Sequence, residues 1–145
     1  MPDGTVLTPP EPRPGFRLAI LGDTYDPTPI SELANEVDIL IHEATNAFLP
    51  GIDAGTNEGE TEESVEEKCR SHGHSTPQMA GLFASRISAK NLILNHFSAR
   101  YAGDDDINSE SAKVMQAIGD LARGKYTGPV LCARDLMDFG IQRPK

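Results

Sequence analysis

An α/β fold with a β-α-β-α-β-α-β order of elements is predicted by three observations. Four short, continuous apolar runs of strand length punctuate the chain, at Phe16–Leu21, Asp38–Ile41, Asn91–Leu94 and Pro129–Ala133. Between them lie segments whose apolar residues recur at one-face helical spacing. Strands that are apolar throughout, rather than alternating, belong to a sheet covered by helices.

Taken in order, residues 1–15 hold Pro2, Pro9, Pro10, Pro12 and Pro14 and little apolar content, which predicts an extended linker or tail. The first strand, FRLAIL, stops at Gly22-Asp23-Thr24. Pro27 and Pro29 impose a turn. Ile30, Leu33, Ala34 and Val37 then share one helical face, predicting a short helix over 30–37. The second strand, DILI, ends at His42-Glu43-Ala44-Thr45. A long polar connection over 46–73 follows, with an acidic loop at 53–67, a flexible middle at 55–63 and a short helix within 64–69. Thr76-Pro77 opens a helix, Thr as N-cap and Pro at the first helical position, with Met79, Leu82, Phe83 and Ile87 as its stripe. The third strand, NLIL, ends at Asn95-His96. Asn108 or Ser109 caps a last helix that turns Val114, Met115, Ile118 and Leu121 inward and stops near Gly124 and Gly128. A fourth strand and a short tail, 141–145, complete the chain, leaving 16–140 as the folded body.

Composition narrows the function. A chain of 145 residues favours one domain. No apolar run approaches the roughly 20 residues that span a bilayer, and the start lacks the basic and apolar regions of a signal peptide. Cytoplasm or nucleus is therefore expected, with a mitochondrial location left open and no membrane partner. Cys69 and Cys132 match no CxxC spacing and read as reduced thiols. The formal net charge of −9 counts against nucleic-acid binding by simple charge attraction. Much of the acid is concentrated in 53–67 and in Asp104-Asp105-Asp106.

Chemistry sits at the strand ends. Asp23, His42-Glu43 and His96 each follow a strand, and His74 precedes the capped helix. Ligands gather at the carboxyl ends of strands in α/β sheets, so Asp23, Glu43, His74 and His96 can meet on one rim. Asp and neutral imidazole are good metal ligands, and carboxylate with imidazole is also an acid–base pair. Singly, an Asp after Gly is more often a turn residue and a lone His more often structural; joint placement carries the functional reading. His72 is read as a loop residue, and Arg100 and Tyr101 as a surface ion pair and a packing ring.

Four words occur in order: Gly22-Asp23-Thr24, Leu40-Ile41-His42-Glu43-Ala44-Thr45, His72-Gly73-His74-Ser75-Thr76, and Leu94-Asn95-His96-Phe97-Ser98-Ala99-Arg100-Tyr101. Together they closely resemble the C-terminal part of tRNase Z, the zinc-dependent tRNA 3′-processing endoribonuclease of the metallo-β-lactamase superfamily. The resemblance covers about residues 16–140. It implies the C-terminal half of a metallo-β-lactamase αβ/βα sandwich and, in the complete enzyme, two zinc ions and a pre-tRNA substrate. By resemblance Asp23 bridges the metals, His96 holds the second, and His74 protonates the leaving 3′ oxygen with Glu43 orienting it. Arg100, Ser75 and Thr76 fall to substrate binding. The family's HxHxDH motif, its upstream histidine and its PxKxRN loop are absent from these residues. The chain alone is therefore expected to be inactive, needing a missing N-terminal half or a homodimer partner. Two other readings stand beside this one: a hydrolase of a small phosphodiester, and a non-catalytic half-domain that binds a partner through an open sheet face.

Overall fold

A computed structural model describes residues 15–101 and 109–141. Residues 1–14 of the expected tail over 1–15, the acidic triplet Asp104–Asp106, Asn108 and residues 142–145 lie outside these described residues.

The four apolar runs form one sheet. Its strands are β1 (Leu18–Ile20), β2 (Ile39–Glu43), β3 (Leu92–Asn95) and β4 (Val130–Cys132). They lie in the order β1-β2-β3-β4, and every neighbouring pair is parallel. Parallel neighbours need long crossovers, and here these carry α1 (Glu62–Ser71), α2 (Pro77–Arg86) and α3 (Glu110–Arg123).

The register decides which face is covered. Leu40 pairs with Leu92 and Leu92 with Val130; His42 pairs with Leu94 and Leu94 with Cys132. Paired residues share a face, and this face forms the core with Phe83, Ala84 and Ile87 at α2 and Val114, Ile118 and Ala122 at α3. Alternation puts Leu18, Ile20, Ile39, Ile41 and Ile93 on the other face. At the β1 edge of that face Leu18 is 52% and Ile20 68% exposed.

Several elements differ from expectation. The helix expected over 30–37 is only a 3-10 turn at Thr28–Ile30 followed by hydrogen-bonded turns. Pro27 and Pro29 deny the first turn donors, and Glu36 enters the left-handed region (φ 55°) while its N–H donates to Ile87 O at 2.7 Å. Ala34 and Val37 are buried, but Leu33 is 80% exposed. The segment 53–67 is a loop only in its first half. A reciprocal Thr61–Ser64 capping box starts α1 within it, and Val65 and Cys69 bury its inner face. In α2 the Thr76 cap and Pro77 stand where expected, yet Leu82 is 56% exposed and the buried stripe runs through Ala80, Phe83, Ala84 and Ile87. Gly81 explains the shift, because α3 approaches so closely that a Cβ there would lie 2.5 Å from Ala122 O. In α3 Ser109 is the cap, with Val114 and Ile118 buried, as expected.

The two ends of the sheet differ. At the amino end, Asp38 accepts from Arg17 N–H at 2.7 Å and pairs with Lys90 at 2.6 Å. The carboxyl end gathers the histidines and carboxylates.

Candidate metal and acid–base centre

Glu43 is the last residue of β2 and is 1% exposed. A buried carboxylate is tolerated only when hydrogen-bonded. Its Oε1 accepts from Ser75 N–H at 2.6 Å and Thr24 N–H at 3.3 Å. Its Oε2 accepts from Thr45 N–H at 3.0 Å and the Thr45 hydroxyl at 2.8 Å. One side chain thus ties together the turns after β1, after β2 and before α2.

His74 stands above this carboxylate, with Nδ1 3.6 Å from Glu43 Oε1. Two features set its ring there. Gly73 (φ 81°) reverses the chain after α1, and His74 N–H donates to Cys69 O at 2.8 Å. The α2 cap then starts at Thr76.

His96 follows β3 in the left-handed region, φ 53°. That conformation costs a β-carbon-bearing residue about 1 kcal/mol or more. It swings the ring to 5.5 Å from that of His74, between centroids, and Nδ1 to 3.3 Å from Asp23 Oδ1. Asp23 comes from the turn after β1. Asp23, His74 and His96 can each offer one donor atom, all within 4.8 Å of one another. Among the described residues this is the only such cluster of His, Cys, Asp and Glu. Two imidazoles and a carboxylate fit a borderline metal such as zinc, and half-exposed Asp23 and His96 leave the outer side open. Three donors fall short of the four that close a structural zinc site.

The other expected residues lie around and beneath this cluster. Ser75 and Thr76, read from the resemblance as substrate-binding, are 0% and 3% exposed. The Ser75 hydroxyl donates to Thr24 O and Thr76 caps α2, so both build the rim from beneath. Arg100 spreads its guanidinium over the connection after β2: Nε faces Asp53 at 3.4 Å, Nη2 donates to Ala47 O at 3.1 Å, and the group stacks 4.8 Å over the Tyr101 ring. The Tyr101 hydroxyl accepts from Ala47 N–H at 3.0 Å and donates to Ala47 O at 3.2 Å.

His42 is fully buried against Phe83, and its Nδ1 lies 2.7 Å from Glu43 O. Burial pushes its pKa below the ordinary histidine value, outweighing the Glu43 carbonyl and charge. Burial likewise pushes the Cys132 thiol up to about 11, and both cysteines are free.

Residue-level reading passed over Thr45 and Thr24. The available signal was position: each follows a strand end, one or two residues beyond a carboxylate, where a hydroxyl or N–H can reach back to it.

The chain is 33% identical to ribonuclease Z of Pseudomonas putida over 131 residues, covering 90% of this chain and 35% of the relative. It is 36% identical to mouse zinc phosphodiesterase ELAC protein 1 over 140 residues, covering 90% and 33%. The crystal structure of human tRNase Z, short form, superposes with a TM-score of 0.56 at 31% identity, covering 89% of this chain and 35% of that one. This chain belongs to the ribonuclease Z family. It matches the C-terminal part of that family's sequence and spans about a third of the length of these relatives. The metallo-β-lactamase-fold protein YhfI of Bacillus subtilis, at 18% identity and a TM-score of 0.53, shares the fold, covering 81% of this chain and 36% of that one. No family model matches the chain. The fold is therefore the expected part of a metallo-β-lactamase architecture, an α/β piece with a parallel sheet and three helices. No helix among the described residues is long and apolar enough to cross a membrane.

Proposed function

We propose that this ribonuclease Z-family chain supplies the acid–base side, and part of the metal-holding side, of a site that hydrolyses phosphodiesters at the 3′ ends of pre-tRNA. The observation that carries the reading is the convergence of Asp23, His74 and His96 within 4.8 Å, with buried Glu43 behind His74. Asp23 and His96 would hold metal, as zinc in the reading the relatives' names support. A metal bound there supplies Lewis acidity and an activated water.

The chain's own residues do the rest. Glu43, fixed by its four donors, holds the His74 ring in place from behind. His74 would pass a proton from Nε2 to a leaving alkoxide oxygen. Asp23 restrains the His96 ring through Nδ1. Arg100 and Tyr101 shape the connection after β2, Ser75 and Thr76 fix the floor, and phosphate contact by Arg100 requires exchange of its present partners. A two-metal site needs more donors than Asp23 and His96, so this reading gives the remaining ligands to another segment or chain, either an N-terminal half or a second copy.

Two assays test this. The chain alone, with zinc or manganese, should leave pre-tRNA intact; robust cleavage by pure material would overturn the dependence on further ligands. A chimera carrying residues 16–140 in place of the matching third of the Pseudomonas putida ribonuclease Z should cleave pre-tRNA and lose that activity with His74→Ala. A folded but inactive chimera would refute the assignment. The formal charge of −9 favours a small phosphodiester as the second reading. Preference of the chimera for a chromogenic phosphodiester over RNA would select it.

A further inference from the structure

The two imidazoles of the site share a single hydroxyl. Thr45 Oγ1 lies 3.1 Å from His96 Nδ1 and 3.3 Å from His74 Nδ1. It also lies 2.8 Å from Glu43 Oε2 and 3.1 Å from His96 O. Thr45 is 9% exposed, and its main chain is pinned on both sides: its N–H donates to Ser75 O at 3.0 Å, and its carbonyl accepts from Ser98 N–H at 2.9 Å. The hydroxyl therefore sits at a fixed point among the connections after β2, after β3 and before α2.

A hydroxyl has one proton and two lone pairs. Four groups compete for them here. The carboxylate is the nearest and the only charged acceptor, so the proton goes to Glu43. Both lone pairs then face the histidine Nδ1 atoms and can only accept. The remaining neighbours agree. His74 Nδ1 otherwise faces Glu43 Oε1 at 3.6 Å, and His96 Nδ1 faces Asp23 Oδ1 at 3.3 Å, both acceptors. Every partner of the two Nδ1 atoms thus calls for an N–H.

We infer that Thr45 is a positioning residue that sets the tautomer of both histidines, placing the proton on Nδ1 of His74 and of His96. Glu43 orders the hydroxyl, the hydroxyl orders both rings, and an Nδ1–H tautomer puts the lone pair of each ring on Nε2. For His96 that leaves the Nε2 lone pair for a metal, and for His74 it makes Nε2 the nitrogen that meets substrate. The functional meaning rests on the reading of the site given above, but the tautomers do not depend on it.

The test uses the 145-residue chain with 15N-labelled histidine and no metal. Long-range 1H–15N spectra are recorded at about pH 8, where imidazoles are neutral. His74 and His96 should both show protonated Nδ1 and unprotonated Nε2, with a Thr45 hydroxyl proton protected from exchange. In Thr45→Val, which keeps shape and removes the hydroxyl, the Nε2–H fraction of both rings should rise about five-fold or more, as expected for one lost hydrogen bond. Thr45→Ser should restore the original pattern. An Nε2–H form of either ring in the unaltered chain overturns the inference, and so does a folded Thr45→Val chain with unchanged tautomers. If Thr45→Val does not fold, the unaltered chain and Thr45→Ser decide. Identical tautomers and a protected hydroxyl in both support the inference, and divergence of either overturns it. Failure of metal binding or of pre-tRNA cleavage would refute the functional reading and leave these spectra untouched.

Discussion

Glu43 is the residue on which the rim depends. Replacing it with Ala leaves the Ser75 and Thr24 N–H groups without their acceptor, at about 1–3 kcal/mol for each that stays buried and unpaired, while the Thr45 N–H keeps Ser75 O. Glu43→Ala should therefore lower the unfolding free energy by about 3 kcal/mol or more in urea titrations, and an unchanged midpoint would show that the carboxylate does not organise the rim. The histidines divide by role. In the active chimera, His96→Ala should weaken metal binding, whereas His74→Ala should slow turnover with metal retained; equal metal loss in both would refute the division. His42 gives a pH signature. Its folded pKa lies below its unfolded one, so above the unfolded value, about 6.5, both states are neutral and stability is full. As pH falls below that value the unfolded chain takes up the proton first, and stability is lost. Tm should drop between about pH 7 and 5, and His42→Asn, which keeps a donor for Glu43 O without titrating there, should flatten that limb. The rim was legible in the order of residues because Asp23, Glu43 and His96 all follow apolar strands. What the order of residues could not convey was the burial of Ser75 and Thr76, which depends on three separate segments closing over one carboxylate.

Strands and caps obeyed local rules. The Thr76-Pro77 and Ser109 starts and the four apolar runs appear in the fold where their chemistry puts them. Departures arise where tertiary contact outweighs spacing. The 30–37 segment has a helical stripe but ends in a left-handed Glu36 tied to Ile87 O, and a residue-by-residue pattern holds no sign of that bond. The α1 start was readable from Thr61 and Ser64, yet the surrounding acid disguised it. At the α2–α3 contact, Gly81 replaces the expected apolar stripe with close backbone approach. Gly81→Ala must displace α3, because a methyl group would stand 2.5 Å from Ala122 O. The gain in helix propensity, about 1 kcal/mol, should be outweighed by overpacking of about 1–3 kcal/mol. A rise in Tm for Gly81→Ala would mean that the helices lie further apart than described.

At the scale of the whole molecule, one sheet face carries the helices and the other ends at an edge with Leu18 and Ile20 largely in water. The relatives are nearly three times as long as the matched region, which accords with a fold whose second layer lies elsewhere. Exposed apolar area of this kind favours association. Ile20→Lys should change stability by less than about 0.5 kcal/mol while reducing self-association in sedimentation experiments; a large loss of stability would place Ile20 in the core of this chain. The acidity of the chain tells the same story at longer range. A surface of net charge −9 does not gather a polyanion unaided, so RNA contact in the proposed reading falls to residues beyond these.

Manganese titration of the 15N-labelled chain reads out whether Asp23, His74 and His96 form one metal-facing cluster. Paramagnetic broadening should appear first at Asp23, His74 and His96, should be abolished by His96→Ala, and should leave the acidic turns over 53–60 intact until higher concentration. Broadening confined to those acidic turns, with the three rim residues unaffected, would mean that the rim does not gather metal.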